Sequence, residues 1–196
     1  MKVLGISTSP RRRQNTEKLI EKVLEGTASS GAQTELFAIS GKQINPCTGC
    51  NKCRETKKCV IEDDMQELYD KIIEADGIVI GTPVYFFDMT AQCKMIIDRT
   101  FAIAPINGNK VGGIVTVAGS LGLSDVVKNL SMYFSVQGIT SAGSVAVYSP
   151  VEGKVKAQES AFELGVKIVK MINAQKGDTT GAYNGRGGFA YGTHTF

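Results

Sequence analysis

The fold class is decided by residues 1–20, which read MKVLGISTSPRRRQNTEKLI. The run from Val3 to Ile6 is apolar and short enough to be a buried strand. Residues 8–15 are polar and turn-like, and apolar side chains then return at helical spacing over 16–28. A buried strand, a polar loop and an amphipathic helix together indicate the first unit of an α/β domain.

The same alternation of strand and helix continues along the chain. Strands are predicted at 1–7, 34–39, 77–81, 110–118 and 139–148. Helices are predicted at 16–28, 65–75, 89–104, 123–136 and 154–174, and a long connection at 40–63. Five apolar strands alternating with five helices imply a doubly wound parallel sheet with helices on both faces. Right-handed crossovers leave few topologies, of which we predict the flavodoxin-like order 2-1-3-4-5.

Composition narrows the class of protein further. The chain has 196 residues, a length that favours one domain and needs no disulfide staples. Apolar residues make up 42% and charged residues 21%, a balance that excludes a disordered chain. With a net charge of only +3, basic and acidic residues are too nearly balanced to indicate nucleic-acid binding by overall positive charge. No stretch approaches the ~20 apolar residues that span a bilayer. Because the first residues lead directly into a strand, we expect no signal peptide. We expect a cytoplasmic protein that binds neither membrane nor nucleic acid.

The five cysteines are the most informative residue type, because four of them lie between residues 47 and 59. An odd number of cysteines without a secretory signal argues against a disulfide framework and points to metal in a reducing compartment. The single histidine, His194, excludes a His-rich metal site and any catalytic triad that needs a histidine in the body of the domain. The fifth cysteine, Cys93, is expected to be a small buried hydrophobic residue.

The spacing of the run is Cys47-x2-Cys50-x2-Cys53-x5-Cys59, within the connection 40–63. Three cysteines at spacing three bring three thiolates together on one loop, as in bacterial ferredoxins. Zinc sites more often use two separated CxxC pairs. Because the chain has only one such cysteine run, Cys59 would be the fourth ligand of the cluster held by the other three cysteines. Zinc at the same four thiolates, a site that holds no metal, and redox-active cysteines that form disulfides remain alternatives.

Cationic side chains surround the cysteine run, and Glu55 is the only acidic residue within it. The cations are Lys52, Arg54, Lys57 and Lys58. They would offset the charge of an anionic cluster and raise its potential. The same face is suited to docking an acidic electron carrier, the alternative being an ordinary solvated surface.

The loop after the first strand is a candidate phosphate site, because a helix N-terminus there attracts anions. Five polar side chains can complete a phosphate cradle: Ser7, Ser9, Arg11, Asn15 and Thr16. The helix dipole contributes only ~0.3–1 kcal/mol, so hydrogen bonds must supply most of the affinity. Neither GxxxxGK[ST] nor GxGxxG is present, which argues against nucleotides bound in those modes. Arg12 and Arg13 are expected to be surface charges, and a solvated, capped turn is the alternative for the whole loop.

These loops resemble those of the NADPH-dependent FMN reductase family. Residues 7–11 (STSPR) with 15–16 (NT) are similar to its FMN phosphate loop. Residues 81–86 (GTPVYF), followed by 89–92 (MTAQ) and 97–99 (IDR), resemble its second flavin loop and helix. The resemblance implies that the isoalloxazine ring is lined by Pro83, Val84, Tyr85 and Phe86. A strand-to-helix turn with buried aromatic residues is the alternative.

The third flavin loop of that family carries a glycine-rich turn and a glutamine. Here residues 118–123 read AGSLGL, which keeps the turn but lacks the glutamine. The contacts implied for this loop are Ala118, Gly119, Ser120 and Gly122.

The cysteine spacing resembles the iron–sulfur flavoproteins, a branch of the same family with a 4Fe–4S cluster on an insertion after the second strand. The resemblance implies an FMN-binding domain at 1–175, with a cluster loop at 40–63, and leaves a Gly/aromatic tail at 176–196. It also implies an FMN-dependent oxidoreductase, with no catalytic side chain, that forms a homodimer or homotetramer. Electrons would pass from a ferredoxin-like donor to a small acceptor such as dioxygen, peroxide or a quinone.

Two other functions remain open. One is an NAD(P)H-dependent FMN, quinone or nitro-compound reductase whose cysteines are structural or bind zinc. The other is an electron carrier without a substrate of its own. The sequence names neither the physiological donor nor the acceptor.

Overall fold

The computed structural model describes residues 1–106 and 109–177. The strands are β1 (Lys2–Ser7), β2 (Gln33–Ala38), β3 (Gly77–Tyr85), β4 (Asp88–Met89), β5 (Val111–Ala118) and β6 (Thr140–Tyr148). The helices are α1 (Asn15–Ser29), α2 (Cys53–Thr56), α3 (Met65–Glu74), α4 (Ala91–Arg99), α5 (Leu123–Gln137) and α6 (Val155–Gly177). A 3₁₀ helix over Thr100–Ile103 continues α4. All five predicted strands and all five predicted helices are therefore present.

The parallel strands lie in the order β2-β1-β3-β5-β6, which confirms the predicted flavodoxin-like topology. Ser7 at the end of β1 lies opposite Gly81 in β3, and Thr82 lies opposite Thr116 in β5. The order of strands reverses between β1 and β3. In open α/β sheets, ligands bind outside the carboxyl ends of the strands at such a reversal.

The segment 82–88 differs from the loop predicted for it. Strand β3 continues to Tyr85, the chain turns at Phe86 and Phe87 with φ of +50° and +69°, and β4 pairs back antiparallel. Helix α4 starts at Ala91 instead of residue 89, because the Thr90 side chain caps it by accepting a hydrogen bond from the backbone of Cys93. A two-residue strand is too short to show a period in the sequence.

The sheet separates two apolar layers, in which α1 and α6 cover one face and α3, α4 and α5 cover the other. Helices α1 and α6 cross with almost no space between their backbones. A Cβ atom built on Gly165 would lie 2.0 Å from the carbonyl oxygen of Val23. Glycine is therefore required where these helices meet, since any side chain would push them apart.

The end of the chain extends beyond the predicted last helix, because α6 continues to Gly177. Residues 178–196, with His194 and most of the predicted Gly/aromatic tail, lie outside the described residues. The domain boundary at 175 stays a prediction. Among the residues that the structure describes, no helix is both long enough and apolar enough to cross a membrane.

Candidate functional site

A cavity of about 230 Å³ opens where β1, β3 and β5 end, and we call it the strand-end cavity. It collects most of the side chains that the sequence predicts for a flavin site. The predicted residues that line it are Ser9, Arg11, Asn15, Thr16, Pro83, Val84, Tyr85, Ala118 and Gly119. Three segments far apart in sequence thus meet at the reversal of strand order, as the topology requires.

Four other predicted residues do not line this cavity. Ser7 is fully buried in β1, and its hydroxyl has no hydrogen-bond partner among the described residues. Phe86 is 96% exposed at the tip of the β3–β4 hairpin. Ser120 is exposed beyond β5, and Gly122 precedes α5 with φ of +89°. Their part in cofactor binding stays a prediction.

The cavity also contains Gln14, Val117 and Ser149, which the sequence reasoning missed. Ser149 follows β6, and its hydroxyl accepts a hydrogen bond of 3.0 Å from the Asn15 side chain. Its backbone N–H donates to the carbonyl of Ala118 at 2.7 Å. Nothing local in the sequence links Ser149 to this site, because it lies more than a hundred residues from the loop that it joins.

The loop before α1 holds its shape through its own polar groups. The Ser9 hydroxyl accepts a hydrogen bond from the backbone N–H of Arg11 at 3.2 Å. Arg12 contacts Glu17 at 3.2 Å, and this glutamate is buried in the first turn of α1 with 1% of its side chain exposed. Arg12 is exposed, as expected of a surface charge, but it also has a specific partner in Glu17. By pairing with Glu17 it neutralises an acid that would otherwise repel an anion at the helix N-terminus.

A buried set of threonines joins the loops that meet at this cavity. The backbone N–H and the hydroxyl of Thr8 both donate to the carbonyl of Gly81, at 2.8 and 2.9 Å. Thr90, the cap of α4, donates from its hydroxyl to the Thr8 carbonyl at 3.0 Å. Its backbone N–H donates to the Thr82 hydroxyl at 3.1 Å. The start of α4 is therefore fastened to the ends of both β1 and β3.

Cys93 lies behind these threonines and is 1% exposed, as expected for a small buried hydrophobic residue. Burial raises the pKa of its thiol to about 12. The thiol therefore stays protonated at neutral pH and is poorly suited to act as a nucleophile or metal ligand.

The four clustered cysteines line a second cavity of about 50 Å³, which we call the cysteine cavity. Cys47 and Cys50 are exposed, whereas Cys53 and Cys59 are partly buried against the apolar layer under α3, α4 and α5. The backbone N–H of Lys52 lowers the pKa of the Cys50 thiol. Within residues 1–106 and 109–177, no three Cys, His, Asp or Glu side chains are arranged so that they could hold a metal ion.

The cysteine cavity is bounded on its inner side by the end of α4. Arg99, whose side chain is 0% exposed, forms an ion pair of 2.8 Å with Asp63, whose side chain is 3% exposed. The same guanidinium donates to the backbone carbonyls of Asn45 and Ile61 at 2.9 and 3.1 Å. These acceptors flank the cysteine run on both sides, so Arg99 closes the base of the loop that carries it.

Burial of the Asp63 carboxyl group would raise its pKa, but hydrogen bonds outweigh this effect. Arg99 and the backbone N–H groups of Asn45 and Met65 donate to the carboxylate and lower its pKa to about 2. Burial alone would lower the pKa of Arg99, yet the Asp63 carboxylate raises it overall. Both groups are therefore ionised across the physiological range.

The two cavities are joined by α4. Its first turn is held at the strand-end cavity by Thr90, and its last residue, Arg99, holds the cysteine loop. Nine helical residues at a rise of ~1.5 Å place these two anchor points about 14 Å apart.

Comparisons with known proteins identify the family of the chain. The family model for NADPH-dependent FMN reductase matches residues 1–154. An iron–sulfur flavoprotein of Methanocaldococcus jannaschii is 42% identical over 192 residues, covering 90% of this chain and all of that protein. An iron–sulfur flavoprotein of Methanosarcina thermophila is 33% identical over 182 residues, covering 88% and 95% of the two chains.

Solved structures show the same fold at low sequence identity. A flavone reductase superposes with a TM-score of 0.75 at 20% identity, covering 90% of this chain and 64% of that one. An archaeal flavodoxin superposes with a TM-score of 0.62 at 16% identity, covering 88% and 99%. The family match, the sequence identity over most of the chain and the shared fold all indicate the same family. The chain therefore belongs to the iron–sulfur flavoprotein branch of the NADPH-dependent FMN reductase family and is a flavodoxin-like, FMN-dependent oxidoreductase.

Proposed function

We propose that this chain binds one FMN and one 4Fe–4S cluster and passes electrons from a ferredoxin-like one-electron donor to a small acceptor such as dioxygen, peroxide or a quinone. The observation that carries the proposal is the presence of two such cavities in one domain. One cavity gathers loops suited to a flavin phosphate and ring, and the other gathers four cysteines. Together they combine a two-electron site with a one-electron site.

The strand-end cavity suits FMN in both charge and shape. Ser9, Arg11, Asn15 and Thr16 surround the N-terminus of α1, where hydroxyl, amide and guanidinium groups can hold a phosphate. The segment from Pro83 to Tyr85 offers backbone polar groups and an aromatic face to a flat ring. When bound, FMN supplies one- and two-electron transfer, while the protein positions and tunes it.

The cysteine cavity suits an iron–sulfur cluster in the chemistry of its donors, although no three of the described side chains are arranged around a metal-ion position. Four thiol side chains line it, and thiolates are the ligands that hold 4Fe–4S clusters. Lys52, Lys57 and Lys58 are exposed around it and supply positive charge. When bound, the cluster supplies one-electron transfer. Anaerobic purification with iron, sulfide, zinc and flavin analysis tests this assignment.

We expect four iron and four sulfide per FMN. Zinc without sulfide, or a flavoprotein without any metal, would instead support an NAD(P)H-dependent reductase with structural cysteines. Steady-state turnover with dioxygen, peroxide or quinones separates an enzyme from a simple electron carrier.

The donor is tested through the charges beside the cysteine cavity. Changing Lys57→Glu with Lys58→Glu should slow reduction by an acidic ferredoxin and leave reduction by dithionite unchanged. The matched control is Lys167→Glu with Lys170→Glu, a pair exposed on α6 at the opposite face of the sheet. In stopped-flow experiments the wild-type rate should fall with added salt. Rapid reduction by NADPH that survives loss of the cluster would contradict this choice of donor.

We also propose that the working unit is a homodimer or homotetramer. Phe86 is 96% exposed and Phe87 55% exposed at the hairpin tip beside the strand-end cavity. Large apolar side chains at such exposure favour an interface. Light scattering of the purified protein measures the mass, and a monomer at working concentration would refute the proposal.

A further inference from the structure

Arg99 has one buried N–H group that no described residue accepts. A guanidinium carries five N–H donors in a planar fork. The two on Nη1 contact the Asn45 carbonyl at 2.9 Å and Asp63 Oδ2 at 2.8 Å. The two on Nη2 contact the Ile61 carbonyl at 3.1 Å and Asp63 Oδ1 at 3.1 Å. The fifth donor, Nε–H, is fully buried and has no hydrogen-bond partner in the described part of the chain.

A buried charged group rarely keeps an unused donor, because nothing then replaces the water lost from it. The position of Arg99 indicates where an acceptor would come from. Arg99 lines the cysteine cavity together with all four clustered cysteines. An acceptor for Nε–H that enters this cavity lies next to the thiol groups.

We propose that Arg99 Nε donates a hydrogen bond to a sulfur of the metal centre held by Cys47, Cys50, Cys53 and Cys59, either a cysteine thiolate or a bridging sulfide. The inference rests on the proposed function, since it takes the 4Fe–4S cluster as the acceptor. Arg99 is then a positioning residue with two tasks. Four of its donors close the base of the cysteine loop, and the fifth tunes the cluster.

The expected effect differs from that of the surrounding lysines. Asp63 neutralises the Arg99 charge at 2.8 Å, so the influence of Arg99 on the cluster comes mainly from a directed N–H group. Hydrogen bonds to cluster sulfurs stabilise the reduced, more negative state and raise the potential. Lys57 is exposed, and solvent and salt screen its charge. The buried donor should therefore have a larger effect than the exposed cation.

The test compares Arg99→Lys with the matched variant Lys57→Gln. Lysine keeps the charge beside Asp63 but lacks the planar fork and its Nε–H. We expect Arg99→Lys to disfavour the reduced cluster about tenfold, which corresponds to about 59 mV in a one-electron EPR-monitored titration. Lys57→Gln should change the equilibrium between oxidised and reduced cluster less than threefold. FMN affinity, measured by fluorescence, should stay within twofold of wild type in both variants.

A second measurement needs no substitution and so does not depend on whether the variant folds. Wild-type protein containing nitrogen-15-labelled arginine is reduced and studied by pulsed EPR, where we expect a nitrogen-15 coupling to the cluster. An intact cluster that shows neither this coupling nor a shifted potential in Arg99→Lys overturns the inference and leaves the proposed function standing. Wild-type protein that binds no iron overturns both.

Discussion

The Asp63–Arg99 pair offers the sharpest test of how the cysteine loop is held on the domain. Asp63→Asn keeps the shape of the side chain but removes its charge and places an amide N–H₂ group in reach of a guanidinium. The buried Arg99 would then lack the carboxylate that accepts two of its hydrogen bonds. Asn45 and Met65 would also lose the charged acceptor of their backbone N–H groups.

The size of the loss follows from the pKa of the carboxyl group. Asp63 has a pKa of about 2 in the folded protein against an ordinary value of 3.8. At about 1.4 kcal/mol for each pKa unit, this difference corresponds to about 2–3 kcal/mol of stabilisation. Removing one partner of a buried ion pair typically costs about 3–5 kcal/mol. Because asparagine retains one oxygen acceptor, we expect the variant to lose about 2–4 kcal/mol in free energy of unfolding at pH 7.

The loss of stability in Asp63→Asn should depend on pH. The pKa of Asp63 is lower in the folded than in the unfolded state, so its stabilisation is complete above about pH 4. The stabilisation disappears as the pH falls from about 4 toward 2, because the wild-type carboxyl group then takes up a proton. The difference in stability between wild type and Asp63→Asn should shrink over this interval.

Urea unfolding followed by circular dichroism at pH 7, 5 and 3 measures these differences. Asp70→Asn, an exposed carboxylate on α3, is the matched control and should change stability by less than ~0.5 kcal/mol. A loss below ~1 kcal/mol at pH 7 would refute the reasoning. So would a loss that stays constant between pH 5 and pH 3, since titration of Asp63 would then contribute nothing.

Three further predictions concern the two cavities and the helix crossing. Cys50→Ala should abolish iron and sulfide binding and leave FMN bound, because the two sites use different connections; loss of both cofactors from a folded variant would contradict this. Ser9→Ala with Arg11→Ala should weaken FMN binding by about 1.5–3 kcal/mol per contact and leave riboflavin almost unaffected, since riboflavin lacks the phosphate. Equal weakening in fluorescence titrations of both ligands would exclude a phosphate role. Gly165→Ala should lower the free energy of unfolding by about 1–3 kcal/mol, because the alanine Cβ would lie 2.0 Å from a backbone oxygen of α1. Unchanged urea unfolding would mean that α1 and α6 can move apart at little cost.

Much of the fold follows from local pattern alone. The apolar run from Val3 to Ile6 and the segment 77–81 predict buried strands because a buried parallel strand is apolar on both faces. The order of strands follows from the alternation with helices and from right-handed crossovers. The β3–β4 hairpin was not predicted, because it depends on backbone conformations at Phe86 and Phe87 that large side chains rarely adopt.

Some parts of the candidate site can likewise be predicted from the sequence, and others depend on how the segments pack. The phosphate loop and the cysteine run were recognised because their residues are neighbours in sequence and their spacing carries the chemistry. Ser149 was missed because it reaches the strand-end cavity only when β6 packs beside β5. The packing also decides which residues of the predicted loops line that cavity. Phe86 and Ser120 belong to these loops, but their side chains are exposed to solvent.

By itself, the sequence determined the doubly wound sheet, the two candidate cofactor segments and the absence of nucleotide-binding fingerprints. Periodicity and motif spacing are properties of neighbouring residues, and these features need nothing more. Only the tertiary structure decided that Arg99, 36 residues from Asp63, is buried and closes the cysteine loop. Only it showed that the threonines at 8, 82 and 90 fasten α4 to two strands. The physical reason is that burial and hydrogen-bond partners depend on distances between segments, and a charged or hydroxyl side chain has the same letter whether it faces water or the core.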